Sequence, residues 1–167
     1  HNVKNVIIED EIKFYEYKAT FEKKKIKLHL GLKNLKRIIK KKTSFCINAI
    51  SGIDGLEPTL DIIPKTKKIL IANKESIICG WSLIKKELNK HKTEFIPIDS
   101  EHFSIWSLIN HDNKKNIEKI VLTASGGPFL NKSVKNIANV KPNIALKHPN
   151  WNMGKKISID SSTMMNK

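Results

Sequence analysis

The residues with the clearest chemical potential lie in the stretch "PIDSEHF", 97–103, which follows an apolar run. Asp99 and Glu101 are separated only by Ser100, and His102 follows directly. If the preceding strand extended this far, both carboxylates would point to one side and converge on a hard divalent cation, with His102 as a third ligand. Alternatively, Asp99 or Ser100 caps a helix that begins here, and Glu101 in its first turn is favoured by the helix dipole. The spacing leaves both interpretations open.

Three further stretches combine polar groups that could bind a phosphorylated ligand. "ASGGPF", 124–129, places a hydroxyl and two glycines after a strand-like run, which suits either an anion site or a tight turn. "KHPNWNMGKK", 147–156, has the composition of a mobile lid, although an ordinary loop with Trp151 in the core fits equally. "IDSSTMMNK", 159–167, gathers hydroxyls, an amide and a lysine at a predicted helix start, where they would either bind phosphate or only cap the helix.

The elements that must position these groups alternate along the first half of the chain. Short β-branched runs are followed by longer amphipathic runs, a pattern typical of parallel strands with helices on both faces. The predicted strands are 2–9, 26–30, 44–50, 67–73 and 94–98, and the predicted helices are 11–25, 32–42, 56–65 and 74–91. This half therefore predicts part of a doubly wound sheet.

The second half has a different residue pattern, in which short apolar runs are separated by residues typical of turns. We predict strands at 118–124 and 155–159, and a helix that starts with Asp160 or Ser161 as its cap. A second domain is therefore expected to begin near Asp99.

The composition bears on possible partners. A formal net charge of +15 first suggests nucleic acid or an anionic membrane. However, Arg37 is the only arginine, and the lysines are scattered without interleaved aromatic residues. We therefore expect a solvated basic surface, with no nucleic-acid partner and no membrane partner. No run approaches the roughly 18 to 20 apolar residues of a membrane-spanning helix, and the cysteines, without metal spacing, suit a reducing compartment.

Four ordered motifs, read together, resemble one enzyme family. They are "IANKES" at 71–76, "PIDSEH" at 97–102, "LTASGGPF" at 122–129 and "ALKHPNWNMGKKISIDSSTMMNK" at 145–167, with a weaker match in "NAISGIDGLEPTL" at 48–60. The family is 1-deoxy-D-xylulose 5-phosphate reductoisomerase, and the resemblance covers essentially the whole chain.

The resemblance implies a fold and an activity. The fold is α/β: an incomplete doubly wound, Rossmann-like parallel sheet at 1–98, the remainder of an NADPH-binding domain, followed at 99–167 by the start of an α+β catalytic and metal-binding domain. The implied activity is isomerisation of the phosphosugar 1-deoxy-D-xylulose 5-phosphate and its reduction with NADPH to 2-C-methyl-D-erythritol 4-phosphate, in non-mevalonate isoprenoid biosynthesis. The family is homodimeric and needs a divalent metal, either Mg²⁺ or Mn²⁺.

Individual residues acquire roles through the same resemblance. Asp99 and Glu101 correspond to metal carboxylates, which favours the metal interpretation of that pair. Catalytic roles are implied for Lys74, Glu101 and His148. Substrate contacts are implied for Lys74, Ser100, Glu101, Ser125, His148, Trp151, Met153, Ser161, Asn166 and Lys167, with Trp151 and Met153 on the lid. Cofactor contacts are implied for Asn73, Glu75 and Gly154.

These groups would serve a retro-aldol/aldol rearrangement followed by hydride transfer. The metal stabilises charge as a carbon–carbon bond breaks and reforms, the anchored phosphate fixes the carbon skeleton, and the lid keeps water from the aldehyde intermediate.

Three features depart from the family pattern. The glycine-rich turn that holds the dinucleotide pyrophosphate is missing, the third metal carboxylate is expected beyond Lys167, and Ser162 stands where the family more often has alanine. We therefore expect an internal segment of a longer enzyme that is inactive alone, from a bacterial cytoplasm or a plastid-like organelle, with the cytoplasm favoured. The competing interpretations are a basic nucleic-acid-binding module and a metal-independent sugar-phosphate dehydrogenase.

Overall fold

The computed structural model describes residues 2–111, 116–150, 152 and 154–165. Its chain contacts divide the protein into two compact units, His1–Asp99 and Ser100–Lys167. The first unit contains all the strands of the described residues, and the second contains helices and loops.

The strands of the first unit form two parallel sheets. In one, β1 (Asn5–Ile8) pairs with β2 (Lys27–Leu30), with Asn5 opposite Lys27. In the other, the order is β3 (Thr43–Asn48), β4 (Thr66–Ile71), β5 (Glu94–Pro97). Parallel neighbours need a crossover connection, and a helical segment follows each of the first four strands. The parallel α/β architecture predicted for this half is confirmed.

Two of the four helices in the first unit begin at a side-chain cap. The helices are α1 (Glu11–Lys23), α2 (Leu35–Ile38), α3 (Leu56–Ile62) and α4 (Lys74–His91). Asp10 caps α1 by accepting a 2.8 Å hydrogen bond from the Lys13 main-chain N–H, and Asn73 caps α4 in the same way. The prediction for 74–91 matches α4. The helix predicted at 32–42 is shorter, since it consists of a 3₁₀ turn followed by α2.

The core of the first unit lies between the three-stranded sheet and the helices that cover it. Its buried apolar residues come from α3 and the turn after it, from β4 and from α4, and they are Ile62, Ile63, Ile69, Ile71, Ile84 and Leu88. Four fully buried isoleucines dominate this cluster, as expected for a sheet covered by helices. The core therefore fixes β4 and α4 relative to each other.

The second unit contains α5 (Ser100–His111), α6 (Val134–Ile137), α7 (Pro142–Ala145) and α8 (Lys155–Thr163). The strand predicted at 118–124 is absent, because that stretch has no regular structure. The strand predicted at 155–159 is wrong as well, since it forms the first part of α8. Asp160 and Ser161 therefore lie within the last two turns of a helix and do not cap its start.

A membrane span is not found in the described part of the chain. Each helix there is either too short or too polar to cross a bilayer.

Candidate functional site

Two groups of predicted site residues meet at the carboxyl edge of the three-stranded sheet. Asn73 and Lys74 come two and three residues after the end of β4, and Asp99 comes two residues after the end of β5. Because the carboxyl ends of neighbouring parallel strands lie at the same edge, side chains after β4 and β5 are brought together. The Lys74 Nζ lies 3.5 Å from the Asp99 Oδ1.

Burial makes this ion pair electrostatically significant. The Asp99 side chain is 8% exposed and the Lys74 side chain 20% exposed, so both charges are largely removed from water. A buried carboxylate is costly unless positive charge lies close to it. Lys74 supplies such charge, and the position of Asp99 is one where a cation is favoured.

The path of the chain after β5 corrects one of the sequence arguments. The strand ends at Pro97 and α5 begins at Ser100, so Asp99 lies in the connection and Glu101 in the first turn of the helix. The expectation that both carboxylates share one strand face is therefore wrong. The alternative of a helix beginning here is correct, with Glu101 as the acidic residue of its first turn.

The helix does not remove the case for a metal. Asp99 and Glu101 remain carboxylates two positions apart, and oxygen ligands of this kind suit Mg²⁺ or Mn²⁺. In the structure, the Lys74 ammonium is a cation partner of the buried Asp99 carboxylate. Over the described ranges, however, no group of three or more His, Cys, Asp or Glu side chains is placed to hold a metal by itself.

In the second unit, three predicted substrate residues from separate segments form one hydrogen-bonded cluster. Ser125 Oγ lies 3.1 Å from His148 Nε2 and 3.1 Å from Ser161 Oγ. We call Ser125, His148 and Ser161 the Ser125 cluster. The segments are 23 and 36 positions apart in sequence, so only the fold could bring them together.

The hydrogen bonds around His148 indicate which ring nitrogen carries the proton. The main-chain N–H of Asn150 donates to His148 Nδ1 at 3.1 Å, so a neutral imidazole has its proton on Nε2. Nε2–H then donates to Ser125 Oγ, and the Ser125 hydroxyl can donate onward to Ser161. A phosphate oxygen beside this cluster would meet hydroxyl and imidazole donors.

Gly127 holds the loop of the Ser125 cluster tightly against α8. It is buried with a positive φ of 56°, and an added Cβ would lie 2.9 Å from the Ser162 Cα and 3.2 Å from the Ser161 carbonyl oxygen. Only glycine permits so close an approach of two main chains. Gly126, also at positive φ, completes the turn.

Ser162, the departure from the family pattern, also joins segments in this unit. Its hydroxyl lies within hydrogen-bond distance of the carbonyl oxygens of Ala145, at 2.5 Å, and Ser158, at 2.8 Å. It therefore links α8 to the end of α7. The extra hydroxyl is accommodated because an acceptor carbonyl faces it.

The position of the Ser125 cluster corrects the expected mode of phosphate binding. Ser161 lies in the last turn of α8, which ends with Met164 in the left-handed conformation at φ 60°. Helix carbonyls and the negative end of the dipole are at this terminus. A helix N-terminus therefore does not contribute to phosphate binding at Ser161, contrary to the prediction. Any anion affinity must come from the side chains instead.

The remaining predicted residues are only partly covered by the structure. Trp151, Met153, Asn166 and Lys167 lie outside the described residues, so the predictions for the lid and for part of the phosphate contacts fall there. Gly154 precedes α8 and has no atom within 4 Å of an added Cβ. The loop around it borders a cavity of about 490 Å³ lined by 146–150 and 152.

Other predicted residues lie at the starts of helices. Glu75 is in the first turn of α4, and Ser100 is the exposed first residue of α5. Sequence reasoning did not single out Asn48, which is 5% exposed and hydrogen-bonded at the end of β3. The sequence did contain a signal for Asn48, because it is a polar residue that ends an apolar strand just before a glycine-containing loop.

The fold and these side chains define a class of protein: a parallel α/β unit with a charged strand edge, followed by a helical unit with a hydrogen-bonded serine–histidine cluster. Two domain families match the chain. Residues 1–80 match 1-deoxy-D-xylulose 5-phosphate reductoisomerase, and residues 95–167 match the C-terminal domain of the same enzyme. The chain belongs to the 1-deoxy-D-xylulose 5-phosphate reductoisomerase family.

Individual relatives agree with this assignment. The reductoisomerase of Pelagibacter ubique is 57% identical over 168 aligned residues, which cover 99% of this chain and 43% of that protein. The Wolbachia pipientis wMel enzyme is 46% identical, with 99% of this chain and 42% of the relative covered. The chain thus spans somewhat under half the length of these relatives.

Solved structures of the family are also similar to this chain. The Zymomonas mobilis enzyme in complex with NADPH superposes with a TM-score of 0.85 at 35% identity, covering 99% of this chain and 42% of the other. A reductoisomerase complex with NADPH, fosmidomycin and magnesium gives a TM-score of 0.76 at 35% identity, covering 97% of this chain and 43% of the other. The predicted Rossmann-like class is confirmed.

Proposed function

We propose that the complete protein carrying this chain is an NADPH- and divalent-metal-dependent 1-deoxy-D-xylulose 5-phosphate reductoisomerase. It would produce 2-C-methyl-D-erythritol 4-phosphate for isoprenoid biosynthesis. The observation that carries this proposal is the Ser125 cluster, in which Ser125 lies within hydrogen-bond distance of both His148 and Ser161, all three being implied as substrate contacts by the resemblance. Family membership and the relatives that bind NADPH and magnesium support it.

In this proposal Asp99 and Glu101 hold the divalent ion, and Asn73, Glu75 and Gly154 contact NADPH. When bound, the ion supplies Lewis-acid stabilisation of substrate oxygens and NADPH supplies the hydride. The buried Asp99 carboxylate lies 3.5 Å from the Lys74 ammonium, so the divalent ion would share this carboxylate with Lys74 or displace it.

The side chains of this chain would bind and orient the substrate. The Ser125 and Ser161 hydroxyls and the His148 Nε2–H would donate to the phosphate and fix the carbon skeleton. Lys74, at the strand edge, would contact substrate oxygen atoms through its ammonium group. By the same resemblance, we assign further contacts to Ser100, Trp151, Met153, Asn166 and Lys167.

The test uses the full-length protein. We expect NADPH oxidation that depends on both 1-deoxy-D-xylulose 5-phosphate and Mg²⁺ or Mn²⁺, and that EDTA abolishes. Asp99→Asn should lower turnover by more than about 100-fold, because a lost metal ligand exceeds the 10- to 100-fold effects of residues behind the ligands. Asp10→Asn is the matched control, since asparagine caps a helix as well as aspartate. Full activity of Asp99→Asn in EDTA would refute the proposal.

The competing interpretations, a nucleic-acid-binding module and a metal-independent dehydrogenase, find no support among the relatives, which are reductoisomerases. Following the family, we also propose a homodimer, a cytoplasmic location and no nucleic-acid or membrane partner for the complete protein. Gel filtration with light scattering would test the dimer.

A further inference from the structure

The side chain of Asn73, an expected cofactor contact, is fully engaged inside the protein. It is 3% exposed, and its Oδ1 accepts a 2.6 Å hydrogen bond from the Ser76 main-chain N–H. Its amide nitrogen donates to the carbonyl oxygens of Ile50 and Gly52, the latter at 2.6 Å. An amide has two N–H donors, and these two carbonyls use both.

A second buried asparagine holds the other end of the same loop. Asn48, at the end of β3, accepts from the Ile50 main-chain N–H at 3.0 Å and donates to the Gly55 carbonyl at 3.0 Å and to the Thr59 hydroxyl. Thr59 in turn donates to the same Gly55 carbonyl at 2.7 Å. Asn48 and Asn73, the asparagine pair, therefore fix the loop 50–55 from both sides.

Gly55 makes this arrangement possible. It is buried, and an added Cβ would collide with the Asn73 side-chain amide and lie 3.1 Å from the Ile50 carbonyl oxygen. A side chain at position 55 would therefore push the Asn73 amide away from the loop carbonyls. Substitution of Gly55 thus displaces the Asn73 side chain while the asparagine itself, with its amide group, is kept.

The loop is connected through Asn73 to the charged strand edge. Asn73 is the N-cap of α4, and the next residue, Lys74, has its ammonium group 3.5 Å from Asp99. Contacts therefore run across the ends of three neighbouring strands, from Asn48 at the end of β3, through the loop 50–55 and Asn73 after β4, to Asp99 after β5. A shift of the loop 50–55 would be passed to the start of α4.

We propose that Asn73 and Asn48 are positioning residues for the cofactor site. Their side chains hold the loop 50–55 against the start of α4 and thereby set the main chain at 73–75 and the direction of Lys74. Asn73 touches the cofactor through its main chain at most, and not through its amide. This inference rests on the proposed NADPH-dependent function.

The experiment compares four variants of the full-length protein with the wild type by NADPH titration and by hydrogen–deuterium exchange. Asn73→Asp keeps the acceptor for Ser76 but cannot donate to the loop carbonyls, and Gly55→Ala displaces the Asn73 amide. Asn89→Ala, on the exposed side of α4, is the control. Asn73→Ser is a milder second variant, because serine also caps a helix while lacking the amide donors.

We expect Asn73→Asp and Gly55→Ala each to raise the Kd for NADPH about tenfold, the equivalent of one lost hydrogen bond. Exchange at 50–55 should become faster in both, while the Ser76 amide stays protected in Asn73→Asp. Asn73→Ser should weaken NADPH binding in the same direction, and Asn89→Ala should match the wild type.

Two results would overturn the inference. One is a large rise in Kd for Asn73→Asp or Asn73→Ser together with wild-type affinity in Gly55→Ala, which would indicate direct contact by the amide. The other is faster loop exchange or a lower melting temperature with an unchanged Kd in all variants, which would indicate a purely structural role. Failure of the wild type to bind NADPH would instead count against the proposed function.

Discussion

Replacing Gly127 by alanine should weaken substrate binding without removing any ligand group. Alanine in the left-handed region at φ 56° costs about 1–2 kcal/mol. The new Cβ would also lie 2.9 Å from the Ser162 Cα, and overpacking of this kind costs about 1–3 kcal/mol. Because α8 presents main chain at this contact, the loop carrying Ser125 must move away from the helix.

The movement should break the Ser125 cluster. Ser125 and Ser161 are joined at 3.1 Å, and an opening of a few tenths of an ångström takes the pair to the limit of a hydrogen bond. Losing one hydrogen bond to a charged phosphate costs about 1.5–3 kcal/mol, equivalent to a roughly 10- to 100-fold rise in KM for the phosphosugar. The KM for NADPH should change little.

Steady-state kinetics of the full-length enzyme would measure both KM values. Gly31→Ala is the control, because Gly31 also has positive φ, at 77°, but no atom lies within 4 Å of its added Cβ. It should lower the melting temperature through backbone strain alone and leave both KM values unchanged. An unchanged phosphosugar KM in Gly127→Ala would refute the link between the glycine contact and the Ser125 cluster.

Two further predictions concern single polar groups. Ser162→Ala should lower the free energy of unfolding by about 1 kcal/mol, because the Ala145 carbonyl loses the hydroxyl that donates to it at 2.5 Å. Thr163→Ala is the control and should be nearly neutral, since the Thr163 hydroxyl is exposed and lies near carbonyls of its own helix. Equal destabilisation by the two substitutions in thermal unfolding would contradict this reasoning. Burial raises the pKa of the Cys46 thiol, so the stability it contributes is present below the pKa of the unfolded chain and is lost as pH rises through the raised folded value. Alkylation followed by mass spectrometry should therefore show Cys46 reacting at higher pH in the folded protein than in the urea-unfolded protein, and identical pH profiles would be inconsistent with that shift.

The first unit was predictable because its elements carry separate and consistent signals. The α4 boundaries were correct because Asn73 caps its start and basic residues occupy its last turn. The predicted strands end near polar residues, and the rule that parallel strands share one carboxyl edge places Lys74 near Asp99. The helix at 32–42 was overextended, since Lys36 and Lys40 would place like charges one turn apart.

The second unit was not predictable in the same way. The buried face of α8 consists of Ser158, Ser161 and Ser162. Because these residues are polar, the helix cannot be predicted from the spacing of apolar residues. Ile157 is 52% exposed, and its alternation with the serine that follows suggested a strand. Ser125 and His148 could be grouped only through the family resemblance, because no spacing rule joins residues so far apart.

A glycine contact supports the predicted site residues in each of the two units. Gly55 lets the Asn73 amide reach two loop carbonyls, and Gly127 lets the loop of Ser125 lie on the main chain of α8. In each case a missing Cβ permits the close approach, and buried polar side chains then fix it. Substitution of either glycine should therefore change affinity for one ligand and spare the other, Gly55 acting on NADPH and Gly127 on the phosphosugar. This separation distinguishes local positioning from a general loss of stability, which would weaken binding of both ligands together.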